Sequence, residues 1–465
     1  MSVSPPQADF GQRWFGQADL GDQRRTARLV YSANQLVQHP GRSLPDTFRS
    51  PSDLKGLYRL LESASVTHAA LLQAAQGETL AALQRQTAAA LVLVLHDDTE
   101  LDYTRKRSLR EELGQLGNGG GRGYICHNSL AVQEDGAVLG LAQQILHRRP
   151  QRNKQETDRQ RRERLSRESR LWLAGTAPLP AAWQVVDVCD AAADTFEFLE
   201  HEFHSGRRLV IRSGYRRSIL PEHGGTPAPQ PLRRYVRRQR AWGGLVQDVP
   251  AQTGRQPRKA RRAKLLVSAC PLRIVAPKVR RGQHGRDPLP LWMVRVWEPY
   301  PPAGEKAIEW FLWTNEPVHQ LADALRVIAW YTRRWIIEEY HKGLKTGCGI
   351  EQCQFTATER LEPMIALLSV VATALLGLRD AGRQPATAAR PATQLFAADY
   401  VRLLSQWRWG ESRPLNVGEF CFALARLGGH QNRRHDGFPG WQVLWRGWQR
   451  LQVLVTGYQL GQKCG

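Results

Sequence analysis

The sequence has no CxxC pair. Its seven cysteines, at 126, 189, 270, 348, 353, 421 and 464, are odd in number and scattered, which excludes a zinc module or a disulfide framework and fits a reducing compartment. The opening MSVSPPQADFGQRW lacks the charged-then-apolar pattern of a secretory leader. The longest uncharged apolar run, Met364 to Leu378, falls short of the ~18 residues a bilayer span needs. It is expected to be a buried core helix, in a cytoplasmic protein with no membrane partner. No internal repeat is present. Acidic residues are scarce: 43 Asp and Glu face 65 Lys and Arg, leaving a formal charge of +22. Such an excess repels itself unless a polyanion offsets it, and nucleic acid is the usual one. The bland alternative is a merely basic protein from a GC-rich genome. A chain of 465 residues predicts about two to four domains.

From about Phe15 to Ala70 the pattern is helical. GDQRRTARLVYSANQLV sets Leu20, Leu29 and Leu36 against Arg24, Arg25 and Arg28, and with Arg49, Lys55 and Arg59 nearby the region is a candidate DNA-contacting unit; the alternative is a solvated face. The run Leu91 to Leu95 predicts a strand buried on both faces, ending in His96-Asp97-Asp98. NSLAVQEDGAVLGLAQQILH predicts a hairpin around Glu134-Asp135-Gly136. A charged helix follows, then a short strand ending at Asp190 with a helix after it, and a strand in RRLVIRSGYRR. Residues 213–313, rich in Gly, Pro, Arg and β-prone pieces, predict a β-rich insertion. RDAGRQPATAARPATQ reads as a linker before a C-terminal helical part. Two strand-end Asp residues and a Glu on a later basic helix give the element order of a ribonuclease H-like α/β domain with an insertion.

That later helix is YTRRWIIEEYHKGLKTG. At ~100° per residue, Tyr331, Arg334, Glu338, Lys342 and Lys345 fall in one stripe about 80° wide. Ile336, Ile337, Tyr340 and Leu344 lie opposite, and Glu339 lies off the row. Local i,i+4 pairing of Arg334, Glu338 and Lys342 is worth only ~0.2–0.5 kcal/mol a pair and gives Tyr331 no role. Glu338 is therefore the candidate of the two glutamates.

The spacing Tyr331-x2-Arg334-x3-Glu338-x6-Lys345 resembles the Tyr-Arg-Glu-Lys signature of bacterial DDE transposases of the insertion-sequence-four group, most closely the Tn-five-like branch. LGDQRRTARL, DDTELDY, VCDAAAD, RKARRAKL, TNEPV and WQVLWRGWQRLQ extend the resemblance over nearly the full chain. It implies a metal-binding, catalytic triad of Asp97, Asp190 and Glu338. Asp98 stands where a hydroxyl residue is usual and competes for the first place; Asp187 is the weaker alternative for the second, and Asp194 takes the later Asp of the pattern. It also implies two Mg²⁺ ions, with Mn²⁺ as a substitute, and DNA contacts by Tyr331, Arg334, Lys342, Lys345 and Arg212. Trp310 matches a residue that stacks on a flipped-out base, with Trp313 its nearest competitor.

Three domains are expected: a helical DNA-binding domain at 1–70, a ribonuclease H-like catalytic domain at 71–378, and a C-terminal helical dimerisation domain at 379–465. Trp441, Leu444, Trp445, Trp448 and Leu451 offer a dimer contact, with core packing as the alternative. The implied function is cut-and-paste transposition on double-stranded DNA, both element ends and target, through a hairpin intermediate. It would be carried out by a homodimer in the bacterial cytoplasm, associated with the nucleoid. The rivals are an inert DNA-binding regulator and a Mg²⁺-dependent nuclease of the same fold.

Overall fold

The computed structural model describes residues 9–85, 90–150, 155–164, 166–176, 184–222, 228–249, 258–277, 288–433 and 436–464. The chain is mixed α/β, with a large mixed sheet and helical termini. It forms two compact units that interleave along the sequence. The first comprises Met1–Ala90, Asp98–Glu156 and Ile336–Gly465; the second comprises Leu91–Asp97 and Thr157–Trp335. The strands are β1 (Val92–Asp102), β2 (Gly114–Leu116), β3 (Gly121–Gln133), β4 (Val138–His147), β5 (Val185–Cys189), β6 (Arg208–Arg212), β7 (Ser218–Pro221), β8 (Gln230–Pro231), β9 (Gly243–Val249), β10 (Arg261–Ile274), β11 (Leu289–Trp297) and β12 (Glu309–Thr314).

In the second unit the apolar start of β1 pairs in parallel with β5, and β5 with β6. Val92 to Leu95 and Val185 to Cys189 are buried throughout, as parallel strands covered on both faces require. Antiparallel pairing takes over from β6 through β12 and β11 to β10, which also carries β7 and β9. The expected β-rich insertion is thus an antiparallel extension. Its last strand, β12, belongs to the pairing with β6 and runs past residue 313. The helix Leu321–Arg333 packs across β5, β6, β10 and β11, and the helix Phe196–His204 packs on β6.

The first unit has helices Phe10–Phe15, Gln23–Gln38, Pro51–Leu61 and His68–Gln84 near the N-terminus. Asp22 caps Gln23–Gln38, and Leu20, Leu29 and Leu36 are buried as the period predicts. The predicted hairpin is present: β3 and β4 pair around Gly136, whose φ of 96° demands a residue without a Cβ. Helix Thr358–Arg383 is long and apolar enough to cross a membrane, yet its apolar stretch is 94% buried inside the protein. It is the expected core helix, apolar all round because it is surrounded.

Two readings are corrected here. The stretch 379–394 is not a linker, since it finishes that core helix and then forms the short helix Pro385–Ala388 and a 3-10 turn. Trp441, Leu444, Trp445, Trp448 and Leu451 of the last helix, Trp441–Cys464, are buried within their own chain, so they are core rather than dimer contact. Helices His68–Gln84 and Thr358–Arg383 also run through positions 70 and 378, the expected domain borders.

Candidate functional site

Two adjacent strands of the second unit carry acidic residues singled out by the sequence: Asp190 directly follows β5, whereas Asp97 lies within β1, which runs on to Asp102 rather than ending at residues 96–98 as expected. His96 lies opposite Cys189, Cys189 opposite Ile211, and Ile211 opposite Trp313. All four are fully buried. Side chains alternate along a strand, so the residues that follow on β1, β5 and β6 (Asp97, Asp190 and Arg212) turn to the other face. There the burial relaxes and all three are half-buried. Leu312 is opposite Arg212, and Trp310, two positions earlier, shares this face. Its ring meets Tyr331 edge-on, 5.6 Å away at 61°. Trp313, by contrast, is at the centre of the core.

Asp190 Oδ1 accepts from Ala192 N at 2.8 Å and caps a 3-10 turn. Asp97 Oδ2 accepts from Arg334 Nη1 at 3.2 Å. Tyr331 is only 6% exposed. Burial pushes its hydroxyl above the usual range, while the guanidinium groups of Arg334 and Arg212 pull against that shift. One face of this unit thus gathers Asp97, Asp190, Arg212, Trp310, Tyr331 and Arg334. Two carboxylates on adjacent parallel strands, one within β1 and one just past β5, are the kind of oxygen ligand a hard divalent cation takes. Among the described residues no three His, Cys, Asp or Glu side chains form a ready metal cluster.

Beside Trp310 opens a cavity of about 870 Å³ whose lining includes Arg212, Arg233, Arg258, Arg261, Lys306 and Trp310. Its carboxylates are engaged: Glu305 with Arg261 at 3.1 Å, Glu309 with Arg295 at 2.8 Å. A wall of cations beside an indole suits a nucleotide, the ring for a base and the cations for phosphate. Arg258 and Arg261 were legible only as part of the basic stretch RKARRAKL; Arg233 and Lys306 carried no signal that set them apart from other cations of the insertion.

The other two aspartates near Asp190 have structural partners. Asp187 is fully buried and accepts from His96 Nε2 at 2.8 Å and from Arg207 Nε at 2.6 Å. Burial alone would raise its carboxyl, but these hydrogen bonds and the Arg207 charge hold it down at about 2. Asp194, also fully buried, accepts from Gly214 N at 2.8 Å, Tyr215 N at 3.1 Å and Arg217 Nε at 2.9 Å. It thereby fixes the loop after β6. Only Asp190 of the three stands on the open face.

The segment after Tyr331, which passes from the second unit into the first at Ile336, departs from the single helical stripe. Helix Leu321–Arg333 ends at Arg334, whose N–H bonds back to Tyr331 O. A two-turn helix, Trp335–Lys342, follows, then a π turn at Gly343–Gly347. The α-helical ladder is interrupted at both joints although Arg334 and Lys342 keep helical dihedrals, and Tyr331 is buried rather than set on an exposed row. Ile337, Tyr340 and Leu344 are buried as expected, and Ile336 is half-buried. Glu338 is half-buried, while Glu339 pairs with the buried Arg379. Asp98 accepts from the buried His127 Nδ1 at 2.6 Å. Lys342 is exposed, and Lys345 lies 3.5 Å from Glu351. Of the N-terminal arginines, Arg24 is exposed, Arg25 donates to Leu20 O at 2.9 Å, and Arg28 pairs with Asp53 at 2.7 Å.

These N-terminal helices provide the link to known proteins. Residues 7–66 match a family model described as transposase DNA-binding. The match supports reading the chain as a transposase, with DNA as its partner.

Proposed function

We propose that this protein is a cut-and-paste DNA transposase of the insertion-sequence-four group, Tn-five-like branch, with a ribonuclease H-like catalytic domain. The observation that carries the reading is the meeting of Asp97 and Asp190 on one face with Arg212, Trp310, Tyr331 and Arg334, in a chain whose N-terminus matches a transposase DNA-binding model. Glu338, assigned from the Tyr-Arg-Glu-Lys signature, is the third carboxylate. Asp97, Asp190 and Glu338 would hold two Mg²⁺ ions, which supply an activated hydroxyl nucleophile and neutralise the leaving oxygen.

The chain's own groups orient the DNA. Arg334 and Tyr331 take backbone phosphates at the element end, with Lys342 and Lys345 as further phosphate contacts. Trp310 stacks an extruded base, and the cationic cavity beside it receives the attached phosphate. That pairing suits a hairpin intermediate, in which the strand bends tightly and a base must leave the stack. Arg24, Arg25 and Arg28 lie in the end-binding segment. Two subunits work together, and the exposed Val453, Leu454 and Leu460 of the last helix are the surface left for a partner once its tryptophans are committed to the core. The setting is the bacterial cytoplasm, on the nucleoid.

Excision in vitro from a plasmid carrying the element's own ends is the test. Asp97→Ala, Asp190→Ala and Glu338→Ala should each abolish cleavage while end binding is kept. Full excision by any of the three removes that residue from the triad. Nicking without strand joining by the wild type would favour the nuclease reading, and no cleavage at all would favour a regulator.

A further inference from the structure

Glu338 sits on a helix of only two turns, Trp335–Lys342, bounded by the break at Arg334 and the π turn at Gly343–Gly347. The regular α ladder is interrupted on both sides, so side-chain anchors add to what holds the helix's rotation. Ile337 and Tyr340 bury one side, but apolar contact is non-directional. Two polar anchors supply direction, lying about 100° to one side of Glu338 and about 60° to the other.

On the first side Glu339 pairs with Arg379, which donates to Asp380 Oδ1 at 2.8 Å, and Asp380 Oδ2 accepts from Val138 N at 3.1 Å. On the second side, His341 Nε2 accepts from Asn128 Nδ2 at 3.1 Å, and Asn128 Oδ1 accepts from Gln144 Nε2 at 2.8 Å. Gln144 Nε2 also donates to Ser369 Oγ at 2.8 Å, while its Oε1 accepts from His68 Nε2 at 3.0 Å. Asn128, Gln144, Ser369 and His341 are all buried. The donors run in one direction, from His68 through Gln144 and Asn128 to the His341 ring. A chain of buried amides gains nothing over hydrophobic packing unless its geometry is needed.

We propose that His341, oriented by Asn128 and Gln144, is a positioning residue for Glu338. It sets the rotation of the short helix and so the direction of the carboxylate. The proposal rests on Glu338 being the third metal ligand. Residues that orient a ligand from behind change metal affinity by roughly 10–100-fold when removed, and that is the loss expected of His341→Phe.

The experiment compares full-length wild type, His341→Phe, His341→Gln and Glu338→Ala. It reads Mn²⁺ binding by electron paramagnetic resonance and amide hydrogen exchange over residues 335–342. His341→Phe should weaken Mn²⁺ binding by about 10-fold or more and speed exchange in that segment alone. His341→Gln, whose amide oxygen can accept from Asn128, should restore both. Wild-type Mn²⁺ affinity and exchange in His341→Phe would overturn the proposal, as would equal losses in the Phe and Gln variants. Should His341→Phe fail to fold, Gln144→Met, which cuts the chain one link further back, is read by the same criteria. Weak binding in Glu338→Ala together with normal binding in His341→Phe rejects the positioning role alone. Normal binding in Glu338→Ala rejects the ligand assignment and the proposal with it.

Discussion

The strand-borne aspartates of the second unit and the helix-borne glutamate of the first are held in different ways. Asp97 and Asp190 follow fully buried residues on parallel strands whose register is locked by ladder hydrogen bonds. A slip of one residue would send both carboxylates to the wrong face. Behind them, on the opposite face, Asp187 bridges His96 of β1 and Arg207 at the entry to β6. Glu338 has no ladder to neighbouring strands. Its helix is short, and side-chain hydrogen bonds through Glu339 and His341 do the fixing. Backbone register thus places the Asp97 and Asp190 carboxylates, and buried side-chain chemistry places that of Glu338. The strand arrangement tolerates side-chain change poorly for reasons of stability, the helical one for reasons of function.

This contrast can be broken most sharply at Asp187. Asp187→Ala takes from the buried Arg207 the carboxylate it holds at 2.6 Å and should cost about 3–5 kcal/mol, read as a shift in the urea midpoint. Trp313→Ala should cost a similar ~3–5 kcal/mol through the cavity left in the core. Trp310→Ala should change the same midpoint little, yet impair hairpin formation more than first-strand nicking. Equal destabilisation by the two tryptophan variants would remove the distinction between the faces of β12. For the helix, Glu339→Gln should lower thermal stability by weakening the Arg379 pair, whereas Glu338→Gln should leave stability unchanged and stop cleavage.

The smallest expected effect is one of pH. Asp187 titrates near 2 when folded, against an ordinary 3.8. Its contribution is therefore complete above the ordinary value and is lost as pH falls toward the folded one. Neighbouring Glu202 is driven the opposite way, chiefly by burial and then by the Asp187 charge, which outweigh Arg207. A carboxyl raised in the folded state favours unfolding as pH rises past its ordinary 4.5. Glu202→Gln should therefore raise stability at neutral pH and leave it unchanged near pH 3; the reverse pattern in a pair of melting curves would show Glu202 to be ionised in the fold.

Much of this was legible in order along the chain. A continuous apolar run at Leu91 to Leu95 announced the first buried strand, the β-prone VVDVC announced the short strand before Asp190, Gly136 announced the hairpin turn, and Met364 to Leu378 announced the core helix. The run of small and Pro-rich residues at 379–394 misled, because Ala and Arg there complete a helix whose stability comes from tertiary burial rather than local preference. The aromatic spacing of the last helix marked a face and left dimer contact and core packing both open, since periodicity cannot say what covers a face; burial in the fold chose the core.

The sequence by itself determined the buried side of the Glu338 helix (Ile337, Tyr340, Leu344), the basic excess, and the buried apolar stretches that lead into Asp97 and Asp190. Those follow from local periodicity and composition, which need no partner. Tertiary structure alone decided which of Asp187, Asp190 and Asp194 stays half-buried, which of Trp310 and Trp313 lies in the core, and where the helix after Tyr331 is interrupted. Each of these depends on which distant group (Arg207, Arg217, a strand across the sheet) stands opposite, and register and pairing partners are properties of the folded chain.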